Sequence, residues 1–89
     1  MRTVWKYDVP VDDKVWPYDL PEGARPVHVE CSDPVEVSVW FEVDTQAKRE
    51  ERRFVVIGTG HPAPDGGTYV DTATVLDGRL VWHLYEVPS

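Results

Sequence analysis

The sequence predicts an all-β fold: one small antiparallel β-sandwich or barrel of about six to seven strands, with little or no helix. Two observations lead to this prediction. Short runs of alternating or β-branched residues recur along the whole chain, which is the pattern of strands. Turn-forming residues separate these runs, and only residues 46–52 have helical preference, over a length too short for a stable helix alone. We expect that segment to be a polar connector with one helical turn.

The first half of the chain contains four predicted strands, at residues 3–9, 15–20, 26–31 and 35–43. Pro17 restricts the second of them to the edge of a sheet, because proline lacks the N–H that a central strand donates. The fourth alternates most clearly, and its apolar face consists of Val35, Val37, Val39, Phe41 and Val43. Turn residues at 21–24 and 31–34 separate the second, third and fourth runs.

The second half of the chain contains three more predicted strands, at residues 52–58, 68–75 and 79–87. Asp77 and Gly78, between the last two, are typical of a two-residue type I′ hairpin turn, which needs positive φ at both positions. Turns separate most of the runs, so we expect the strands in meander order, each beside its neighbour in sequence.

Length and composition are those of one soluble domain, residues 1–89, with 42% hydrophobic and 28% charged residues. No apolar run approaches the roughly 20 residues of a membrane-spanning helix. The first residues, MRTVWKYD, lack the apolar segment of a signal peptide, so we expect a cytoplasmic protein. The single cysteine, Cys31, excludes an internal disulfide and a Cys-rich zinc site, and its position after a Val-rich run favours burial in the core.

Charge and histidine spacing argue against several classes of function. The formal net charge of −7 repels a phosphate backbone, so we expect no direct binding of nucleic acid. His28, His61 and His83 lie far apart without the spacing of a zinc site, and His83, among aromatics, fits a hydrogen-bonded structural histidine. No arrangement typical of a nucleophilic or acid–base catalyst stands out. We therefore expect a non-enzymatic protein without metal or cofactor.

The segment Gly58-Thr59-Gly60-His61-Pro62 has two interpretations. As a strand exit, its glycines permit a sharp turn and Pro62 ends the ladder of hydrogen bonds. As a binding loop, successive backbone N–H groups would hold an anion, with the Thr59 hydroxyl and the His61 imidazole as further donors. The spacing is neither a P-loop nor a dinucleotide fingerprint. We expect a strand exit that also forms one wall of a site.

Trp40 is a large aromatic on the polar face of its strand, among Glu36, Ser38 and Glu42. Such a side chain packs against a neighbouring element or forms a binding surface. Arg52 and Arg53 open the next predicted strand, and a hairpin would place them beside Trp40, an arrangement that suits a planar anion. The residues of this ligand hypothesis are Arg52, Arg53, Thr59, Gly60, His61, Trp40 and Tyr69.

Several motifs resemble a family of small uncharacterised proteins from phages, prophages and bacteria, over nearly the whole chain. The most specific are Trp5-Lys6-Tyr7, Gly58-Thr59-Gly60-His61-Pro62 and Trp82-His83-Leu84, with Asp77-Gly78 before the last of them. The second predicted strand departs from the family pattern. The resemblance implies a fold and a genomic setting, and no reaction.

Three functions are compatible with these observations. The first is binding of a phosphorylated or nucleotide-like small molecule, which in a phage would sequester a signalling nucleotide as counter-defence in the host cytoplasm. The second is an acidic protein–protein interaction module or inhibitor of a host or phage protein. The third is a structural accessory protein of the phage particle. Exposed sheet edges also favour a homodimer slightly over a monomer.

Overall fold

The computed structural model describes residues 1–88, apart from the side chain of Ser32. Within these residues it contains seven strands and no helix, so the all-β prediction is confirmed, and no helix long and apolar enough to cross a membrane is present. The strands are β1 (Arg2–Pro10), β2 (Trp16–Pro21), β3 (Arg25–Asp33), β4 (Glu36–Asp44), β5 (Arg49–Gly58), β6 (Thr68–Val75) and β7 (Leu80–Val87).

The strands form two antiparallel sheets packed face to face. The first has the order β1-β4-β3 and the second the order β2-β5-β7-β6. Only β3–β4 and β6–β7 are hairpins, so the predicted meander order is wrong. Alternation of apolar residues indicates which face of a strand is buried, but it does not specify the sheet in which the strand pairs.

The core lies between the sheets and consists of the inward side chains of every strand. Val37, Val39, Phe41 and Val43 of β4 are buried, as alternation predicts, whereas Val35 precedes the strand and is 62% exposed. Phe41 packs on Phe54 of β5 with ring centroids 5.5 Å apart, which joins the two sheets at their centre. The remaining buried apolar residues of this cluster are Val9, Leu20, Ala24, Val29, Cys31, Val56, Ala73 and Leu84.

Cys31 is buried, as expected from its place in the sequence. Its thiol lies 3.0 Å from the backbone oxygen of Asp33, and burial raises the pKa of the thiol above its ordinary value. A raised pKa keeps the sulfur protonated and unreactive at neutral pH, so Cys31 serves packing.

Two expectations about connections need correction. Residues 49–52 form the first half of the β5 pairing with β2, and only residues 45 and 46 make a turn, so the predicted helical turn is wrong. Pairing with β2 supplies these residues with hydrogen bonds that override their weak helical preference.

At the β6–β7 hairpin, Asp77 and Gly78 both have positive φ and the Arg79 N–H donates to the Leu76 oxygen, as a type I′ turn requires. Leu76 also has positive φ, so strand pairing ends one residue earlier and the loop spans residues 76–79.

Two tyrosines bridge the open side of the sandwich where β1 and β2 face each other. The Tyr18 hydroxyl donates to the Asp8 carbonyl at 2.6 Å, and the Tyr7 hydroxyl lies 3.5 Å from the Asp19 carbonyl. The two rings meet edge to face with centroids 5.9 Å apart. Burial and the nearby carboxylates of Asp8, Asp12 and Glu36 raise the pKa of Tyr18 to about 12.

Candidate functional site

The loop after β5 is built as a tight turn. The His61 N–H donates to the Gly58 carbonyl at 3.1 Å, and Gly60, at φ +90°, occupies the position of a type II turn that requires positive φ. Gly58 has a second constraint, because a Cβ there would lie 3.1 Å from the ring of Trp82, its partner on β7. Both glycines are therefore explained by the strand exit, which is the first of the two interpretations of this segment.

His61 connects this loop to the loop between β1 and β2. Its Nδ1 lies 2.8 Å from a carboxylate oxygen of Asp13, and both side chains are about half exposed. Asp13 has φ +60°, in a loop that Asp12 orders by accepting from the Trp16 indole N–H and the Lys14 N–H. The Asp13 carboxylate thus holds the imidazole in place through Nδ1, and Nε2 takes no part in this contact.

Thr59 belongs to a chain of hydrogen bonds that runs from the loop after β5 across β7 to β6. Its hydroxyl lies 2.9 Å from Nε2 of His83, whose Nδ1 lies 3.1 Å from the Thr72 hydroxyl. Thr72 in turn contacts the Tyr69 hydroxyl at 2.6 Å. Both nitrogens of His83 are engaged, which fixes its ring, as expected for a hydrogen-bonded structural histidine. Two residues of the ligand hypothesis, Thr59 and Tyr69, are linked through this histidine.

A pocket of about 430 Å³ opens between the 58–61 turn and the start of β7. Its lining combines an apolar wall with three polar groups, and consists of Gly58, Thr59, His61, Arg79, Leu80, Val81 and Trp82. The Arg79 side chain makes no ion pair or hydrogen bond with any other part of residues 1–88. The volume lies in the range of about 300–1,000 Å³ typical of small-molecule sites.

The electrostatics of the pocket favour one negative charge. Arg79 supplies the one permanent positive charge of the lining, whereas the His61 imidazole is already paired with the Asp13 carboxylate. The Thr59 hydroxyl adds a neutral hydrogen-bonding group. An anion with a flat apolar portion would therefore place its charge near Arg79 and the remainder against Trp82.

Arg52, which the ligand hypothesis includes, does not line this pocket. Its guanidinium forms a two-bond pair with Glu86, at 2.7 and 2.8 Å, and donates to the Ala24 carbonyl. It also lies over the rings of Phe41 and Phe54, and its side chain is only 16% exposed. The bond to Glu86 raises the pKa of Arg52 above its ordinary value. These contacts indicate that Arg52 stabilises the packing of the sandwich.

Arg53 and Trp40 are also separated from the pocket and from each other. Arg53 is exposed and pairs with Glu51 on the same strand. Trp40 lies on the outer face of the other sheet, between Lys6 at 5.7 Å and His28 at 5.2 Å. The hairpin expected to join Arg52 and Arg53 to Trp40 does not form, because β4 and β5 belong to different sheets.

The sequence reasoning missed Arg79, the one cation of the pocket, and the link from Thr59 to His83. Arg79 follows the Asp77-Gly78 turn directly, and β7 pairs with β5 so that Trp82 faces Gly58. The pairing of β7 with β5 is therefore the feature that would have indicated that Arg79 lies near the turn after β5. Among the described residues, no group of three or more His, Cys, Asp or Glu side chains is placed to hold a metal ion.

Comparison with known proteins gives one match. A family model described as a domain of unknown function, DUF7352, matches residues 1–89. Searches of curated proteins and of solved structures return no match.

Proposed function

The chain belongs to the DUF7352 family, and we propose that this member is a non-enzymatic binder of a small phosphorylated, nucleotide-like molecule, held in the pocket beside Trp82. The observation that carries the proposal is the convergence of Arg79, Thr59 and His61 on one pocket with an apolar wall. The Arg79 side chain is exposed and has no ion-pair partner among the described residues, so its guanidinium is available to bind an anion.

The charge of the protein narrows the ligand class. A net charge of −7 opposes anions at long range, and the pocket offers a single uncompensated cation. A phosphodiester with one negative charge, as in a cyclic nucleotide, matches this balance better than a triphosphate does. The base would lie against the apolar wall and the phosphodiester would accept from Arg79 and Thr59.

A calorimetric titration tests the proposal with three probes: cyclic mononucleotides, nucleoside triphosphates and uncharged nucleosides. We expect cyclic mononucleotides to bind more tightly than the other two probes. Arg79→Gln removes the positive charge but keeps a polar side chain, and should weaken binding by about tenfold or more, as loss of a charged hydrogen bond does. Arg25→Gln is the matched control, because Arg25 is an exposed arginine on the other sheet.

Two outcomes would contradict the proposal. Equal binding by the wild type and Arg79→Gln would place the ligand elsewhere. Absence of binding by every probe at millimolar concentration would favour an interaction module that uses the acidic surface to engage a protein. A binder of this kind would sequester a signalling nucleotide if the chain is phage-encoded, which is the genomic setting that the motif resemblance implies.

A further inference from the structure

The first sheet ends in a strand whose outer edge is regular over its whole length. β1 pairs with β4 through nine consecutive residues without a register shift. The other edge strands are interrupted, since β2 is short and contains Pro17 and Pro21, and β3 and β6 contain register shifts. A long regular edge is a template for pairing with another strand.

The backbone groups on this edge follow from the hydrogen bonds on the other side of β1. The Thr45 N–H donates to the Met1 carbonyl at 2.9 Å and the Val11 N–H donates to the Val35 carbonyl at 2.8 Å. Both bonds continue the β1–β4 register, so odd-numbered residues of β1 bond to β4 and even-numbered residues point outward. The hydrogen bond from the Tyr18 hydroxyl to the Asp8 carbonyl is consistent with this assignment, because Tyr18 does not belong to β4 and Asp8 is an even-numbered residue.

The side chains and backbone groups of the even-numbered residues favour one of the ways for two copies of β1 to pair. If Val4 faces the second copy's Val4, then Arg2 faces Lys6, and like charges oppose each other. If Lys6 faces the second copy's Lys6, like charges again oppose. If the symmetry axis passes at Trp5, Arg2 faces the second copy's Asp8 twice, and Val4 lies against the stem of Lys6.

We propose that two copies of this chain pair antiparallel through β1, with the axis at Trp5, to make one continuous six-stranded sheet. This register uses both outward groups of Arg2, Val4, Lys6 and Asp8, whereas an axis at Lys6 or Tyr7 pairs one of these residues with Pro10, which has no N–H, and an axis at Val4 leaves Asp8 unpaired. It covers Val4, which is 49% exposed, and brings the two half-buried Trp5 rings side by side on the inner face. The Asp8 carbonyl keeps a second lone pair for the partner beside its bond from Tyr18.

Sedimentation equilibrium over micromolar to millimolar concentrations tests the pairing. We expect the wild type to approach twice the chain mass of 10.2 kDa. Arg2→Asp should raise the dimer dissociation constant by about tenfold or more, because two opposite-charge pairs become like-charge pairs. The exchange Arg2→Asp with Asp8→Arg should restore it. Val4→Pro should abolish the dimer, since it removes an outward N–H and no bond to β4.

Arg25→Asp is the matched control. Arg2 and Arg25 both bond to Glu42, and both are exposed, but Arg25 lies on the opposite edge of the sheet. A melting curve for each variant establishes that it is folded. A monomeric wild type at millimolar concentration would overturn the proposal, and so would a dimer that survives Arg2→Asp or dissociates equally in Arg25→Asp. Failure of the exchanged pair to dimerise would overturn the register.

Discussion

Replacing Arg52 with methionine should destabilise the fold far more than the same change at its neighbour Arg53. Arg52 is 16% exposed, its partner Glu86 is 28% exposed, and two short bonds join them. Methionine keeps much of the packing on Phe41 and Phe54, but it leaves the Glu86 carboxylate without its cation and the Ala24 carbonyl without its donor.

The size of the effect follows from the degree of burial. Breaking a fully buried ion pair from one side costs about 3–5 kcal/mol, and an exposed pair contributes about 0–1 kcal/mol. The Arg52–Glu86 pair lies between these limits and nearer the buried one, so we expect Arg52→Met to cost about 2–3 kcal/mol. For a domain of this size each kcal/mol lowers the melting temperature by about 4–8 °C. Arg53→Met, which breaks an exposed pair with Glu51, should cost less than about 1 kcal/mol.

Urea unfolding followed by tryptophan fluorescence measures both variants on the same scale. The double variant Arg52→Met with Glu86→Leu should recover part of the loss, because it removes the stranded carboxylate. Equal stabilities of Arg52→Met and Arg53→Met would refute the structural role of the pair. A folded Arg52→Met protein should retain any ligand that the wild type binds, since Arg52 lies outside the pocket beside Trp82.

Three further predictions concern the tyrosine bridge and the loops. Tyr18 has an unfolded pKa of 10.0 and a folded pKa of about 12, so its contribution is complete below pH 10 and is lost as pH rises towards 12. The difference corresponds to about 2.7 kcal/mol, reduced to about 1–2 kcal/mol because the phenol is partly exposed; Tyr18→Phe should therefore show a flatter alkaline limb in urea titrations, and parallel curves would contradict this. Gly78→Val should lower the free energy of unfolding by about 1–3 kcal/mol, measured by denaturant titration, because Gly78 has φ +84° and valine is strained there. Gly60→Val should lower the melting temperature for the same reason, whereas His61→Ala should keep a folded protein with weakened ligand binding; a His61→Ala protein that binds normally would remove the imidazole from the site.

The strands were predictable from sequence because alternation is a local property. In β4 the buried face of Val37, Val39, Phe41 and Val43 can be read from spacing alone. The sheet in which each strand pairs was not predictable, since β4 and β5 are neighbours in sequence and lie in different sheets. That one fact separated Arg52 from Trp40 and gave the arginine a partner, Glu86, that lies 34 residues away.

The candidate site was likewise predictable only where it depends on residues that are neighbours in sequence. Gly60 and His61 were identified by turn chemistry, which is local, and the structure places both in the turn after β5. Arg79 and His83 lie beside this turn because β7 pairs with β5. A long-range pairing of this kind leaves no mark in the alternation of either strand.

The division of the strands between the sheets also constrains how the chain can acquire its structure. The first sheet needs residues 2–44 and the second needs residues 16–87, and each interval contains strands of the other sheet. No contiguous fragment therefore holds a complete sheet with both of its faces in native surroundings. During synthesis, β2 is the only strand of the second sheet that can cover the apolar face of β4 until β5 and β7 leave the ribosome. We expect the domain to fold in one cooperative and comparatively slow step once β7 is available, and a chain cut before β7 to aggregate rather than form half of the sandwich.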